Sequence, residues 1–121
     1  MYVLETKALT KKFSDFTAVD NLNLKITKGS IYGFLGSNGS GKSTTIRMLC
    51  GVLTPTSGSI EIFGKSLTKN LPFLKSKIGY MSQKFSLHPD LTVMENLNFY
   101  AGLYSLPKEI IEQRIREIIN L

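Results

Sequence analysis

The sequence predicts an α/β fold, and three observations carry that prediction. The first is the run Gly36-Ser37-Asn38-Gly39-Ser40-Gly41-Lys42-Ser43-Thr44, which satisfies the pattern G-x-x-x-x-G-K-[ST]. The second is its setting, with the apolar run Ile31 to Leu35 before it and a helix-forming stretch, Lys42 to Cys50, after it. The third is a change of character along the chain. Strand signals dominate up to Met81, and apolar residues at helical spacing take over from Thr92.

Taken in order, Tyr2 to Leu9 is β-rich, and Asn21 to Ile26 alternates polar and apolar with the period of a half-buried strand. Lys28-Gly29 is a turn into Ile31 to Leu35, whose uninterrupted apolar character predicts a buried strand. Thr54-Pro55-Thr56-Ser57-Gly58 is a turn that opens the short strand Ser59 to Phe63. A lysine-rich connection, 65–77, holds a helical turn near Leu71 to Lys75, and Ile78 to Met81 is another apolar strand. Thr92-Val93-Met94-Glu95 fits a capping box, with Val93, Met94, Leu97, Ala101 and Tyr104 following on one helix. Pro107 starts a last helix with Ile111, Ile115, Ile118 and Ile119 on one face and a Glu112–Arg116 pair opposite.

Composition narrows the class. The 121 residues suffice for one domain with a modest core, and 42% hydrophobic with 20% charged residues is ordinary for a globular chain. No apolar run approaches the ~18 residues of a membrane span, and the N-terminus lacks the features of a signal peptide. Cys50 is the single cysteine, which excludes an internal disulfide and is expected to be a small buried hydrophobe in a reducing compartment. The net charge of +6 comes from scattered lysines without interleaved aromatics, so no nucleic-acid partner is expected.

The glycine-rich run carries chemistry for a physical reason. Glycines let the backbone curl until successive N–H groups converge on phosphate oxygens, and the following helix adds its positive end. Lys42 supplies a mobile cation for the terminal phosphates, and the Ser43 hydroxyl can enter the coordination sphere of Mg²⁺. These features predict a nucleoside-triphosphate site. His88, the only histidine, has no paired carboxylate or nucleophile beside it in the sequence and is expected to be an exposed loop residue.

Further segments make the chain resemble the N-terminal half of the ATP-binding domain of an ABC transporter. They are Leu9 to Phe13 with Ala18-Val19-Asp20, the phosphate loop, Pro55 to Ile60, Ile78-Gly79-Tyr80-Met81-Ser82-Gln83, and Leu91-Thr92-Val93-Met94-Glu95-Asn96-Leu97. The resemblance implies a P-loop NTPase fold, here as a partial ABC-type domain over residues 1–121. It would have an N-terminal antiparallel β portion and the start of a helical subdomain. It implies ATP and Mg²⁺ as ligands, held by Gly36, Ser37, Asn38, Gly39, Ser40, Gly41, Lys42, Ser43, Thr44 and Thr45, with Ser43 and Gln83 on the metal. It also places Phe13 against the adenine, a role for which nearby Phe16 competes. The family's Leu-Ser-Gly-Gly-Gln signature, its Walker B strand ending in Asp-Glu and its switch histidine are absent from this sequence. The chain is therefore expected to be a fragment that binds ATP without turning it over.

By the same resemblance, the full-length parent would be the ATP-hydrolysing subunit of an exporter, peripheral at the cytoplasmic face of the cell membrane. It would dimerise with a second ATP-binding subunit and dock on a membrane-spanning subunit through Lys84 to Leu91. In that segment the apolar Phe85, Leu87 and Leu91 could equally form a satellite core. Two other readings stand beside this one: a soluble ABC ATPase of DNA repair or translation, and a short non-catalytic nucleotide-sensing module.

Overall fold

The computed structural model describes residues 1–84 and 86–121 and divides into two compact units, Met1–Ile78 and Gly79–Leu121. Phe85, one of the three apolar residues expected in the docking segment, lies outside the described residues.

The first unit is built on a sheet with order β2-β1-β3-β4: β1 (Tyr2–Phe13), β2 (Phe16–Thr27), β3 (Ser57–Ile62) and β4 (Lys65–Ser66), each neighbour antiparallel. Alternation decides which face is covered. Ile60 and Ile62 are buried on either side of half-buried Glu61, and Val19 and Leu24 are the buried positions of β2. Helix α1 (Lys42–Leu49) adds Met48 and Leu49, and the short α2 (Leu71–Lys75) adds Leu74; with Leu9, Val19, Ile60, Ile62 and Leu67 they form one core. Full burial of side chains of this size contributes about 1.5–3 kcal/mol each.

Both N-terminal strands run longer than their alternation suggested, because side chains repair the irregular register. Pairing shifts between Thr6 and Leu9 and again between Leu9 and Lys11. Buried Thr6 donates its hydroxyl to Leu22 O and accepts from Leu24 N, both at 2.9 Å, while Thr10 Oγ1 accepts from Asn21 N at 3.0 Å. Asn23 Oδ1 accepts from Ala8 N at 2.9 Å. Side chains thus satisfy backbone groups beside the irregular pairing.

Two predicted strands are corrected. Ile31 to Leu35 and Ile78 to Met81 have no ladder partner among the described residues, and both are irregular. Ile31 and Leu35 are fully exposed, and of the first segment only Phe34 packs against the core. A strand buried on both faces needs flanking strands to take its N–H and C=O groups, and all four strands of this sheet are paired elsewhere. An apolar run records burial potential; it does not create the neighbours.

The second unit holds α3 (Val93–Leu103) and α4 (Lys108–Ile119). The capping box forms as the sequence predicts: Thr92 Oγ1 accepts from Glu95 N at 3.1 Å, and Glu95 Oε1 accepts from Thr92 N at 3.2 Å. Glu112 and Arg116 pair at 3.0 Å. Of the isoleucine stripe, Ile115 is buried and Ile111 half-buried, while Ile118 and Ile119 are exposed. Within this unit α3 is the only helix packed on α4, so it covers part of that face. Among the described residues no helix is long and apolar enough to cross a membrane.

Candidate functional site

The phosphate loop turns into α1 through Gly41, which sits in the left-handed region at φ 92° and caps the helix without a side-chain bond. No acidic residue lies in the first turn, so the N–H groups at its start face outward with their partial positive charge uncompensated. Gly41 is also in tight contact with β2, where an added Cβ would lie 2.4 Å from Ala18 O. At the other end of the loop, a Cβ on Gly36 would meet Ser40 Oγ at 2.7 Å. At both positions a side chain would collide with its surroundings, so the loop can close tightly only with glycine there. Ser40 N closes the loop onto Ser37 O at 3.2 Å.

Lys42 leaves the first turn of α1 and folds back across the loop. Its ammonium donates to Gly36 O, and to Ser37 O at 3.0 Å. An ammonium carries three donors, so one remains for an anion in the cradle. Ser43 is exposed at the helix start, Thr44 is half-buried, and Thr45 is buried with its amide bonded to Gly41 O at 2.9 Å. Residues 36 to 45 are therefore brought together as one element. Because Gly41 combines a positive φ with a backbone close approach, Gly41→Ala should cost about 2 kcal/mol or more of stability. Urea unfolding of the variant should show the loss as a lower midpoint with an unchanged slope.

Phe13 is not a core residue. It lies 45% exposed at the end of β1, paired across the hairpin with Phe16, which is 60% exposed. Lys11 Nζ stands 5.2 Å from the Phe13 ring centroid. Phe16 is two residues along β2 from Ala18, the floor of the loop, or about 7 Å at strand rise. The hairpin end thus offers two aromatic rings on the strand that supports the cradle. Gln83 belongs to the second unit, where it is exposed in a bend. Among the described residues no group of three or more His, Cys, Asp or Glu side chains could hold a metal. A divalent ion here would rest on the Ser43 hydroxyl, phosphate oxygens and water, a donor set that suits Mg²⁺. Cys50 is half-buried beside α1, and burial pushes its thiol above the usual range, which suits an inert thiol.

The profile of the family described as ABC transporter matches residues 19–121. The chain belongs to that family. A relative named as a probable multidrug ABC transporter ATP-binding protein, YbhF of Escherichia coli, is 50% identical over 104 residues, covering 86% of this chain and 18% of the relative. The bacitracin transport ATP-binding protein BcrA of Bacillus licheniformis is 41% identical over 119 residues, 98% of this chain and 39% of BcrA. A solved structure of an ATP-binding subunit of an ABC transporter superposes with a TM-score of 0.80 at 28% identity, over 93% of this chain and 47% of that one. The chain thus spans less than half the length of each of these proteins. ABC-type ATPase architecture, with an antiparallel β portion and helices beyond it, is the fold that the sequence predicts.

In this ABC-family chain the second unit contains an organising residue that sequence reasoning passed over. Asn96 is one of four buried polar residues among the described residues. Its Oδ1 accepts from His88 N at 2.8 Å, and its Nδ2 donates to His88 O, Leu91 O and Thr92 O at 3.0, 3.3 and 3.0 Å. Tyr100 adds a bond from its hydroxyl to Ser86 O, and the His88 ring packs edge-on to Phe99 at 4.8 Å. Tyr104 Oη accepts from Tyr80 N and donates to Tyr80 O, both at 3.1 Å. The segments on either side of Gln83 are therefore both fastened to α3. Leu91 is half-buried and Leu87 exposed, so the expected docking loop is partly core and partly surface. The available signal was weak, an amide in the first turn of a helix that also carries Glu95 and Asn98.

Proposed function

We propose that this chain binds Mg·ATP through Gly36 to Thr45, as the N-terminal part of an ABC-type ATP-binding domain whose full-length form hydrolyses ATP to drive export through a separate membrane subunit. The observation that carries it is the conformation of the loop: Gly41 left-handed at the helix start, and Lys42 folded onto the carbonyls of Gly36 and Ser37. Backbone amides would bind the phosphates, the free donor of Lys42 would meet the terminal phosphate charge, and Ser43 would contribute to Mg²⁺. Phe13 is the ring proposed for the base, and its exposure at the hairpin end supports that role.

Export is favoured by the relatives named as Nod factor export ATP-binding protein I. The segment Lys84 to Leu91 is proposed to meet the membrane-spanning subunit at the cytoplasmic face of the membrane, with a second ATP-binding subunit completing the nucleotide site. The chain alone should leave phosphate release at the no-enzyme background, because it carries neither signature nor Walker B carboxylates. Calorimetric titration tests the binding reading. ATP should bind about tenfold more weakly when Mg²⁺ is chelated, and Ser43→Ala should abolish most of that difference. Equal affinity with and without Mg²⁺ in the unaltered chain would contradict it.

A further inference from the structure

The two units differ in charge, and the positive first unit contains a stretch in which lysines stand without any acidic residue. From Ile62 to Pro89 the sequence holds five lysines and no acidic residue. Four of them, Lys65, Lys69, Lys75 and Lys77, lie on or beside β4 and α2, all exposed. On the sheet, Lys7 and Lys25 have Glu61 and Glu5 within 4 Å, at 3.9 and 3.7 Å. Among the described residues the four lysines of the β4–α2 module have no such carboxylate. At the centre of this module is Phe73, 48% exposed, with Lys65 Nζ 4.6 Å and Lys77 Nζ 5.6 Å from its ring centroid. The platform beneath is firm: Leu67 and Leu74 anchor it in the core, and Asn70 Nδ2 ties it to Ser66 O at 2.9 Å.

We propose that this module is a contact surface for anionic phospholipid headgroups. Ammonium groups around an exposed aromatic ring match a bilayer surface, where phosphates meet the lysines and the ring enters the glycerol level. The charges are lysines, compact and strongly hydrated, and not the planar forks that select carboxylates in a protein partner. Nucleic acid is disfavoured because the ring already has ammonium groups packed on it, which obstructs base stacking. The proposal is independent of the nucleotide reading and survives its failure.

Vesicle co-sedimentation of the full chain tests it, comparing phosphatidylcholine alone with vesicles holding about one-third phosphatidylglycerol. Binding should need the anionic lipid and fall with added salt. Lys65→Gln with Lys77→Gln should weaken it by about thirtyfold, at about fivefold per lysine near the surface. Phe73→Ser should weaken it as well, with circular dichroism unchanged in all variants. Lys7→Gln with Lys25→Gln removes the same charge from the sheet and should change binding less than about twofold. Equal binding to neutral vesicles would overturn the proposal, because apolar surface would then be responsible. So would an equal loss in the Lys7 and Lys25 pair, which would reduce the effect to net charge. Tighter binding to polyglutamate than to anionic vesicles, lost in the same Lys65 and Lys77 variant, would replace the lipid with an acidic protein segment.

Discussion

Replacing Lys42 by alanine is expected to weaken Mg·ATP binding by about ten- to a hundredfold, the equivalent of losing one charge-assisted contact worth about 1.5–3 kcal/mol. Lys42 is the one side-chain cation in the loop, and its ammonium does two things at once. It ties the start of α1 to the carbonyls of Gly36 and Ser37, and it presents its remaining donor to the cradle. Alanine removes both. Lys42→Arg separates the two effects: charge is kept, but a planar guanidinium does not reproduce the compact three-donor geometry. The arginine variant should therefore fall between the unaltered chain and Lys42→Ala in a titration series. Identical affinities in all three proteins would rule out the loop as the nucleotide site.

Substituting Asn96 should produce the largest loss of structure in the second unit. Asn96→Leu removes the part-buried side-chain bonds to His88, Leu91 and Thr92 and leaves His88 N without its acceptor, at a cost of about 2 kcal/mol. Asn96→Asp is more informative because the sign of its effect depends on pH. The aspartate keeps the acceptor for His88 N but sets a buried negative charge against three carbonyl oxygens. That environment raises the pKa of the new carboxyl in the folded state above its unfolded value. Between the unfolded and the raised folded value the folded form binds more protons, so stability falls as pH rises across that interval and recovers in acid. Hydrogen exchange of the 86–92 amides should be fast in the variant at neutral pH and partly protected again near about pH 4. Uniform protection at both values would mean that Asn96 does not hold this loop. The substitution leaves residues 36 to 45 unaltered, so ATP affinity with Mg²⁺ chelated serves as its internal control.

The sequence by itself determined the parts of this protein whose cause is local. The phosphate loop was legible because its function is written in backbone freedom: glycines where φ must be positive or a backbone must approach, then a lysine and a hydroxyl one turn into a helix. Helix α3 was legible because Thr92 and Glu95 satisfy each other within four residues. The turn of helix expected at Leu71 to Lys75 is present as α2, with Pro72 in its first turn. Tertiary structure alone decided what depends on neighbours. Ile31 to Leu35 has every property of a buried strand except partners, so it remains irregular. Phe13 could not be sorted into core or surface until the hairpin carried it past the edge of the core to an exposed end. Asn96 looked like one more polar residue near a helix start. Only folding the preceding loop back over α3 brought three carbonyls and an amide within its reach. Hydrogen bonds between near neighbours are encoded where they form, whereas ladders and buried amides depend on which distant backbone groups the fold delivers.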